Sequence, residues 1–104
     1  MGVEIGQVQL RTKDFEALKK CFRKHPRIAQ VKLFGSRAKG AAKPTSDIDL
    51  AIFAPGASTM EWSDIYESLE ESSVLPMMDV VRMDTLVNES LREKIDREGV
   101  VIYP

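Results

Sequence analysis

The sequence has little of what marks a secreted, membrane-bound or repetitive protein. Its 104 residues include one cysteine, Cys21, so no internal disulfide can form. No apolar run approaches the roughly 20 residues of a membrane span, and residues 1–4 lack the charged and apolar regions of a signal peptide. There is no internal repeat or low-complexity tract. We therefore expect a single cytoplasmic domain, residues 1–104, with Cys21 packed in its core.

Aromatic residues are also scarce, at 7% of the chain, and this bears on how its charge is interpreted. The net charge of −1 conceals a basic part, residues 11–43, with eleven Lys or Arg against two acids. Residues 44–104 carry four Lys or Arg against thirteen acids. A basic segment can bind nucleic acid, but its aromatics are phenylalanines at positions predicted to be buried, so stacking on bases is not indicated. We interpret the basic side chains of the first helix as a solvated face.

In the first half of the chain, apolar spacing predicts a helix over 13–24, with Thr12 or Asp14 as its cap. The helix ends before Pro26, because a residue that precedes proline avoids the helical conformation. A strand over 28–34 is followed by a short helix, residues 37–39, which Ser36 caps. The next strand covers 47–53.

In the second half, Ser58 and Glu61 have the spacing of a capping box for a helix that extends to about Ser73. A third strand covers 77–83 and a closing strand 100–103. The last helix is predicted to be capped by Asp84 or Thr85, to bury Val87, Leu91 and Ile95, and to stop at Gly99. Helices that alternate with strands around one sheet indicate an α/β or α+β domain.

Three aspartates, Asp47, Asp49 and Asp79, lie on two of the predicted strands. Residues two apart on a strand share a face, with Cα atoms about 6.6 to 7 Å apart, so Asp47 and Asp49 can bind adjacent cations. Oxygen ligands suit Mg²⁺, and a third carboxylate completes a two-metal site. Asp79, an acid inside an apolar run, is the candidate for that third ligand. The sequence therefore predicts a site for two Mg²⁺ ions.

A candidate phosphate-binding loop precedes these acids. Gly35 lets the backbone approach a phosphate without a Cβ in the way, and Ser36 offers a hydroxyl and an amide at a helix N-terminus, which attracts anions. Arg37 and Lys39 add positive charge. Each motif alone is weak, since Asp-x-Asp at a strand start is also turn chemistry. The combination favours a site for a metal–nucleotide complex.

Gly35-Ser36, ten residues, then Asp47-Ile48-Asp49, with Asp79 further on, resembles the DNA polymerase β nucleotidyltransferase superfamily. More narrowly, the pattern is similar to the minimal nucleotidyltransferase (MNT) domains of bacteria and archaea. The resemblance implies a small mixed sheet flanked by helices, with Gly35 and Ser36 on the nucleotide's phosphates. It also implies that Asp47 and Asp49 coordinate Mg²⁺ and that Asp79 is the third catalytic carboxylate. Lys39 stands where many relatives carry arginine, which keeps the charge but loses a bidentate grip on phosphate.

The same resemblance implies a partner, because one-domain proteins of this kind are commonly encoded beside a helical HEPN protein. We therefore expect Mg²⁺-dependent transfer of a nucleoside monophosphate to a hydroxyl of a HEPN-type toxin, with AMP from ATP, or another nucleoside triphosphate, as the donor. One alternative is a non-catalytic antitoxin that neutralises its partner by forming a complex. Another is a small-molecule nucleotidyltransferase completed by a second subunit.

Overall fold

A four-stranded mixed sheet with helices on both faces forms the part of the chain that the computed structural model describes, residues 8–104. Residues 1–4, which entered the expectation about a signal peptide, lie outside it. No helix within residues 8–104 is both long and apolar enough to cross a bilayer. The elements are α1 (Thr12–Arg23), β1 (Gln30–Phe34), α2 (Ser36–Lys39), β2 (Ile48–Phe53), α3 (Thr59–Glu70), β3 (Met78–Arg82), α4 (Glu89–Glu98) and β4 (Val100–Tyr103).

The strand order in the sheet is β3-β2-β1-β4. β1 is antiparallel to both β2 and β4, whereas β2 and β3 are parallel. Parallel pairing brings the starts of β2 and β3 to the same end of the sheet. The expected mixed sheet flanked by helices is confirmed.

Side chains alternate between the two faces of a sheet. Because apolar residues occupy successive positions on the strands, both faces are apolar. One face packs against α1 and α3, and the other packs against α4. Cys21 is buried in the first of these layers, as predicted, and its Sγ lies 3.5 Å from the carbonyl oxygen of Ser68. The first layer includes Leu18, Phe22, Val31, Leu33, Leu50, Ile65 and Leu69, and the second Phe34, Ala51, Met83 and Ile95.

Several predicted helix starts are wrong. The cap of α1 is Arg11 rather than Thr12 or Asp14. Asp14 is buried instead and accepts a hydrogen bond from Nε of Arg11 at 2.9 Å, which holds the pKa of its carboxyl below the ordinary value. Ser36 is the first residue of α2, and Gly35 is its cap.

The start of α4 is also later than predicted. Asp84 and Thr85 belong to a 3₁₀ turn, Met83–Thr85, and the true cap is Asn88, whose side chain accepts the Leu91 N–H at 3.0 Å. Val87 therefore precedes the helix and is 91% exposed, against the prediction. Its spacing of four from Leu91 matches the helical pattern, but the Asn88 cap starts the helix after it. The carboxylate of Asp84 caps no helix and instead accepts the Ala54 N–H at 3.0 Å.

The other boundaries differ by a few residues. The capping box of α3 is confirmed, with Ser58 and Glu61 each bonding the other's backbone N–H. The helix ends at Glu70 rather than near Ser73, because the Ser72 hydroxyl donates to the Leu69 carbonyl at 2.6 Å. β1 begins two residues later than predicted and β2 one residue later, so Asp47 precedes its strand.

Candidate active site

Strand register brings the predicted acids together. Asp49 lies opposite Phe34 of β1 and directly beside Asp79 of β3. Neighbouring strands are about 4.7 to 4.9 Å apart, so the two carboxylates leave the backbone from adjacent positions. Asp47 is two residues before Asp49, and both Asp47 and Asp79 are exposed. The three acids therefore lie at one end of the sheet, where β2 and β3 begin.

The electrostatics of Asp49 follow from this crowding. Burial and the neighbouring carboxylates of Asp79 and Asp47 raise the pKa of Asp49 above its ordinary value. Lys94 of α4 acts in the opposite direction and lowers the pKa of Asp49. Asp49 is thus the acid of the cluster whose charged form is disfavoured both by burial and by its neighbours.

The donor set suits a hard cation, since all three candidates are carboxylates and Mg²⁺ prefers oxygen. Among residues 8–104, no three His, Cys, Asp or Glu side chains converge closely enough to hold a metal ion. Like charges on Asp47, Asp49 and Asp79 repel one another, so a cation would have to draw the side chains inward.

Gly35 lies against the acids and needs to be glycine for two reasons. Its φ of 74° is in the left-handed region, which residues with a Cβ rarely adopt. A Cβ added here would also collide with Oδ2 of Asp49. The Gly35 carbonyl accepts the N–H groups of Ala38 and Lys39 at 3.1 and 3.3 Å, and this starts α2. The loop thus packs directly against the central carboxylate.

Gly35→Ala is expected to destabilise the protein by about 2–3 kcal/mol, through left-handed strain together with displacement of Asp49. Gly56→Ala is the matched control. It has a similar φ of 81°, but its added Cβ would meet only Nη1 of Arg27, at 3.6 Å. The control is expected to cost about 1 kcal/mol. Urea unfolding measures both variants, and equal losses would contradict the close packing of Gly35 on Asp49.

Arg37 does not face the acids, although the sequence suggested a phosphate contact for it. Its side chain is buried, with 6% exposure, and donates to three backbone carbonyls. Nε and Nη2 reach the Ser46 oxygen at 3.1 and 2.8 Å, Nη2 reaches Pro44 at 3.3 Å, and Nη1 reaches Gln9 at 2.9 Å. Because Ser46 immediately precedes Asp47, Arg37 fixes the loop that delivers the first acid.

Lys39 is also occupied within the chain. Its Nζ lies 3.0 Å from Oε1 of Glu98 at the end of α4. This contact with Lys39 holds the pKa of Glu98 below its ordinary value. The pair joins the short helix α2 to α4. Of the four residues predicted to contact the nucleotide, the structure places Gly35 against the acids, Ser36 next to it, and Arg37 and Lys39 in internal contacts.

Two residues that hold the segments around the site, Gln9 and Asp14, were not predicted from the sequence. Gln9 pairs with Arg37 through its own N–H, which donates to the Arg37 carbonyl at 2.8 Å, and its side-chain oxygen accepts the Ala42 N–H at 2.7 Å. Asp14 accepts the N–H of Leu75 at 3.4 Å, in the segment that leads into β3. No local sequence pattern predicts these contacts, because each joins segments that are distant in sequence.

Residues 16–104 match the family described as "Polymerase beta, Nucleotidyltransferase". No curated protein matches the chain.

Among solved structures, a toxin–antitoxin with AMP-PNP has a TM-score of 0.70 and 21% identity, over 86% of this chain and 73% of that one. A complex of tri-AMPylated Shewanella oneidensis HEPN toxin with MNT antitoxin has a TM-score of 0.63 and 18% identity, over 86% and 69%. A protein provisionally described as a minimal nucleotidyltransferase has a TM-score of 0.58 and 29% identity, over 83% and 86%. The first two similarities show a shared fold. Because the family match spans residues 16–104, which contain the glycine-serine loop and all three acids, the chain belongs to the polymerase β nucleotidyltransferase family.

Proposed function

We propose that this chain, acting as a single domain over residues 1–104, transfers AMP from ATP to a hydroxyl of a HEPN-type protein in a Mg²⁺-dependent reaction. The observation that carries the proposal is the register of Asp49 beside Asp79, with Gly35 packed against the Asp49 carboxylate. This arrangement places a glycine-serine loop and a set of acids at one end of the sheet, as a metal–nucleotide complex requires.

Asp47, Asp49 and Asp79 would hold the metal, and a set of carboxylate oxygens is chemically suited to two Mg²⁺ ions. Bound Mg²⁺ would supply positive charge to the triphosphate and relieve the repulsion among the three acids. The raised pKa of Asp49 is consistent with such a cluster, because its neighbours Asp79 and Asp47 disfavour its charged form.

The chain's own residues supply positioning and a proton acceptor. Gly35 and Ser36 would bind the phosphates through the backbone and the serine hydroxyl. Asp79 is exposed on the edge strand β3, where an incoming hydroxyl can reach it. Its carboxylate would take the hydroxyl proton while the oxygen attacks the α-phosphorus. The bond between that phosphorus and the bridging oxygen breaks, and pyrophosphate leaves.

Two structural neighbours support the choice of donor and acceptor. One is a toxin–antitoxin with AMP-PNP, an ATP analogue. Another pairs an AMPylated HEPN toxin with an MNT antitoxin. By analogy, ATP is the donor that we propose for this chain, and a helical HEPN-type protein is the acceptor.

The direct test is to incubate the chain with Mg²⁺, ATP labelled on the α-phosphate, and a purified HEPN-domain protein from the same genome. We expect label on the HEPN protein with the unmodified chain and none with Asp47→Asn. Label on the γ-phosphate should stay in solution, because pyrophosphate is the leaving group. Absence of label on any protein, with Asp47→Asn indistinguishable from the unmodified chain, would overturn the proposal.

A second candidate function is an antitoxin that acts by occlusion alone. The observation that favours it is that Arg37 and Lys39, the two basic residues nearest the loop, are both held in internal contacts. It predicts that Asp47→Asn and Asp49→Asn still suppress the ribonuclease activity of the partner when added in equal amounts. Loss of suppression in both variants, with binding retained, would exclude it.

A further inference from the structure

An apolar ridge, residues 75–77, stands directly before β3. Leu75 and Met77 are 75% and 78% exposed, with Pro76 between them. The ridge separates two cavities. A groove of about 310 Å³ lies between α3 and β3, and Tyr66 and Val80 are among its lining residues. A wider cleft of about 740 Å³ lies on the other side, against the start of α1 and the loop before β2.

The ridge adjoins the acids. The Met77 carbonyl accepts the N–H of Ile48 at 2.8 Å, and Ile48 is the residue between Asp47 and Asp49. Met77 is also two residues from Asp79, on the strand that forms one edge of the sheet. A protein bound at the ridge would therefore lie next to the start of β3, where Asp79 is located.

The surface beside the groove is negatively charged. α3 and the residue after it carry five acids and no lysine or arginine, namely Glu61, Asp64, Glu67, Glu70 and Glu71. Glu70 is the one charged residue that lines the groove. Isolated exposed apolar residues are common, but here Tyr66, Leu75 and Met77 border one groove, and the acids at the end of α3, Glu67, Glu70 and Glu71, lie on its α3 side. Such a surface complements an apolar segment flanked by basic residues.

We propose that the 75–77 ridge and the groove beside it dock the acceptor protein, through an apolar segment of that protein flanked by Lys or Arg. The identity of the acceptor rests on the proposed function, whereas the docking chemistry rests on the surface itself. The ridge fits a protein acceptor because it lies outside the phosphate-binding loop yet continues into the segment that carries Asp79.

The experiment measures binding of the purified HEPN-domain protein separately from transfer of AMP. Leu75→Asp combined with Met77→Asp is expected to weaken binding at least about tenfold and to lower the rate of transfer at limiting partner. Binding of a fluorescent ATP analogue should be unchanged. Val87→Asp is the matched control, since Val87 is an apolar residue with 91% exposure that lines neither cavity.

A charge-reversal variant tests the electrostatic half of the proposal without touching the ridge. Glu67→Lys, Glu70→Lys and Glu71→Lys together are expected to weaken binding about tenfold at low salt, and the loss should shrink as salt screens the charges. All variants are first checked for an unchanged Tm.

The outcomes separate this inference from the proposed function. Full affinity and full transfer with the aspartate variants would overturn the docking surface while leaving the transfer activity intact. Weakened binding with the variants, in a chain that transfers no AMP at all, would support the surface and overturn the proposed activity. If the same variants dissociate two copies of this chain and leave binding of the HEPN-domain protein unchanged, the ridge is a self-association surface and the proposal is overturned.

Discussion

Asp49→Asn is expected to lower nucleotidyl transfer by about 10³-fold or more and, in the same protein, to raise the stability of the metal-free fold. The loss of activity follows because an amide cannot replace the central carboxylate of the metal–phosphate site that we propose. The gain follows because Asp49 is partly buried beside Asp79 and Asp47, whose charges raise its pKa. We expect about 1 kcal/mol, a modest value because the side chain is partly solvated.

The stability gain should depend on pH in a defined direction. The folded-state pKa of Asp49 is raised above that of the unfolded chain. Below the unfolded pKa the residue is protonated in both states and costs nothing, and the penalty grows as pH rises through the folded pKa. The advantage of Asp49→Asn is therefore largest at neutral pH and disappears in acid.

Thermal unfolding in EDTA measures this difference, and 1 kcal/mol corresponds to about 4–8 °C for a domain of this size. Glu16→Gln, a substitution of an exposed acid on α1, should leave both Tm and activity unchanged. Addition of Mg²⁺ and an ATP analogue should raise the Tm of the unmodified chain and should not raise the Tm of Asp49→Asn. Equal stability of the two proteins in EDTA across the pH range would contradict a strained acid cluster.

Arg37→Ala is expected to destabilise the fold by about 3–5 kcal/mol, because each buried polar group left without its partner costs about 1–3 kcal/mol. The substitution leaves the carbonyls of Gln9, Pro44 and Ser46 without their donor. The free energy of unfolding of natural domains is about 5–15 kcal/mol, so the substitution removes a large share of it. Urea unfolding measures it, and Arg27→Ala, an exposed arginine paired with Glu61, is the control expected to change little.

The kinetics of Arg37 variants distinguish a positioning residue from a phosphate ligand. Arg37→Lys keeps the charge but cannot bridge three carbonyls, so the loop before Asp47 should be loosened. We expect kcat to fall by about tenfold or more with little change in KM for ATP. A rise in KM with unchanged kcat and unchanged stability would instead show that Arg37 contacts the triphosphate.

Local chemistry predicted much of the fold. The capping box of α3 was recognised from Ser58 and Glu61, and Gly99 ended α4 as expected. Each of these depends on residues within a few positions of one another. The error at Asp84 has a different origin, since its carboxylate accepts the N–H of Ala54, thirty residues earlier in the chain.

The site shows the same division. The sequence predicted that Gly35, Asp49 and Asp79 lie close together, because their spacing reflects strand and loop geometry, and their roles stay predictions. It could not predict that Arg37 turns inward, since the carbonyls of Gln9, Pro44 and Ser46 meet only after the N-terminal segment and the loop before β2 have packed together. A basic residue next to a candidate phosphate-binding loop suggests a phosphate contact. The structure shows instead that Arg37 is buried and donates its hydrogen bonds to backbone carbonyls.

The parallel pairing of β2 with β3 affects the order in which the sheet forms during synthesis. Parallel neighbours cannot be joined by a tight turn, so the whole of α3 lies between Asp49 and Asp79. During synthesis, β1 and β2 can pair while β3 is still within the ribosome. A nascent chain therefore acquires its glycine-serine loop and two acids first, and the third acid arrives only when the sheet gains its edge strand. The pairing that sets Asp79 beside Asp49 can therefore form only after α3 and β3 have left the ribosome.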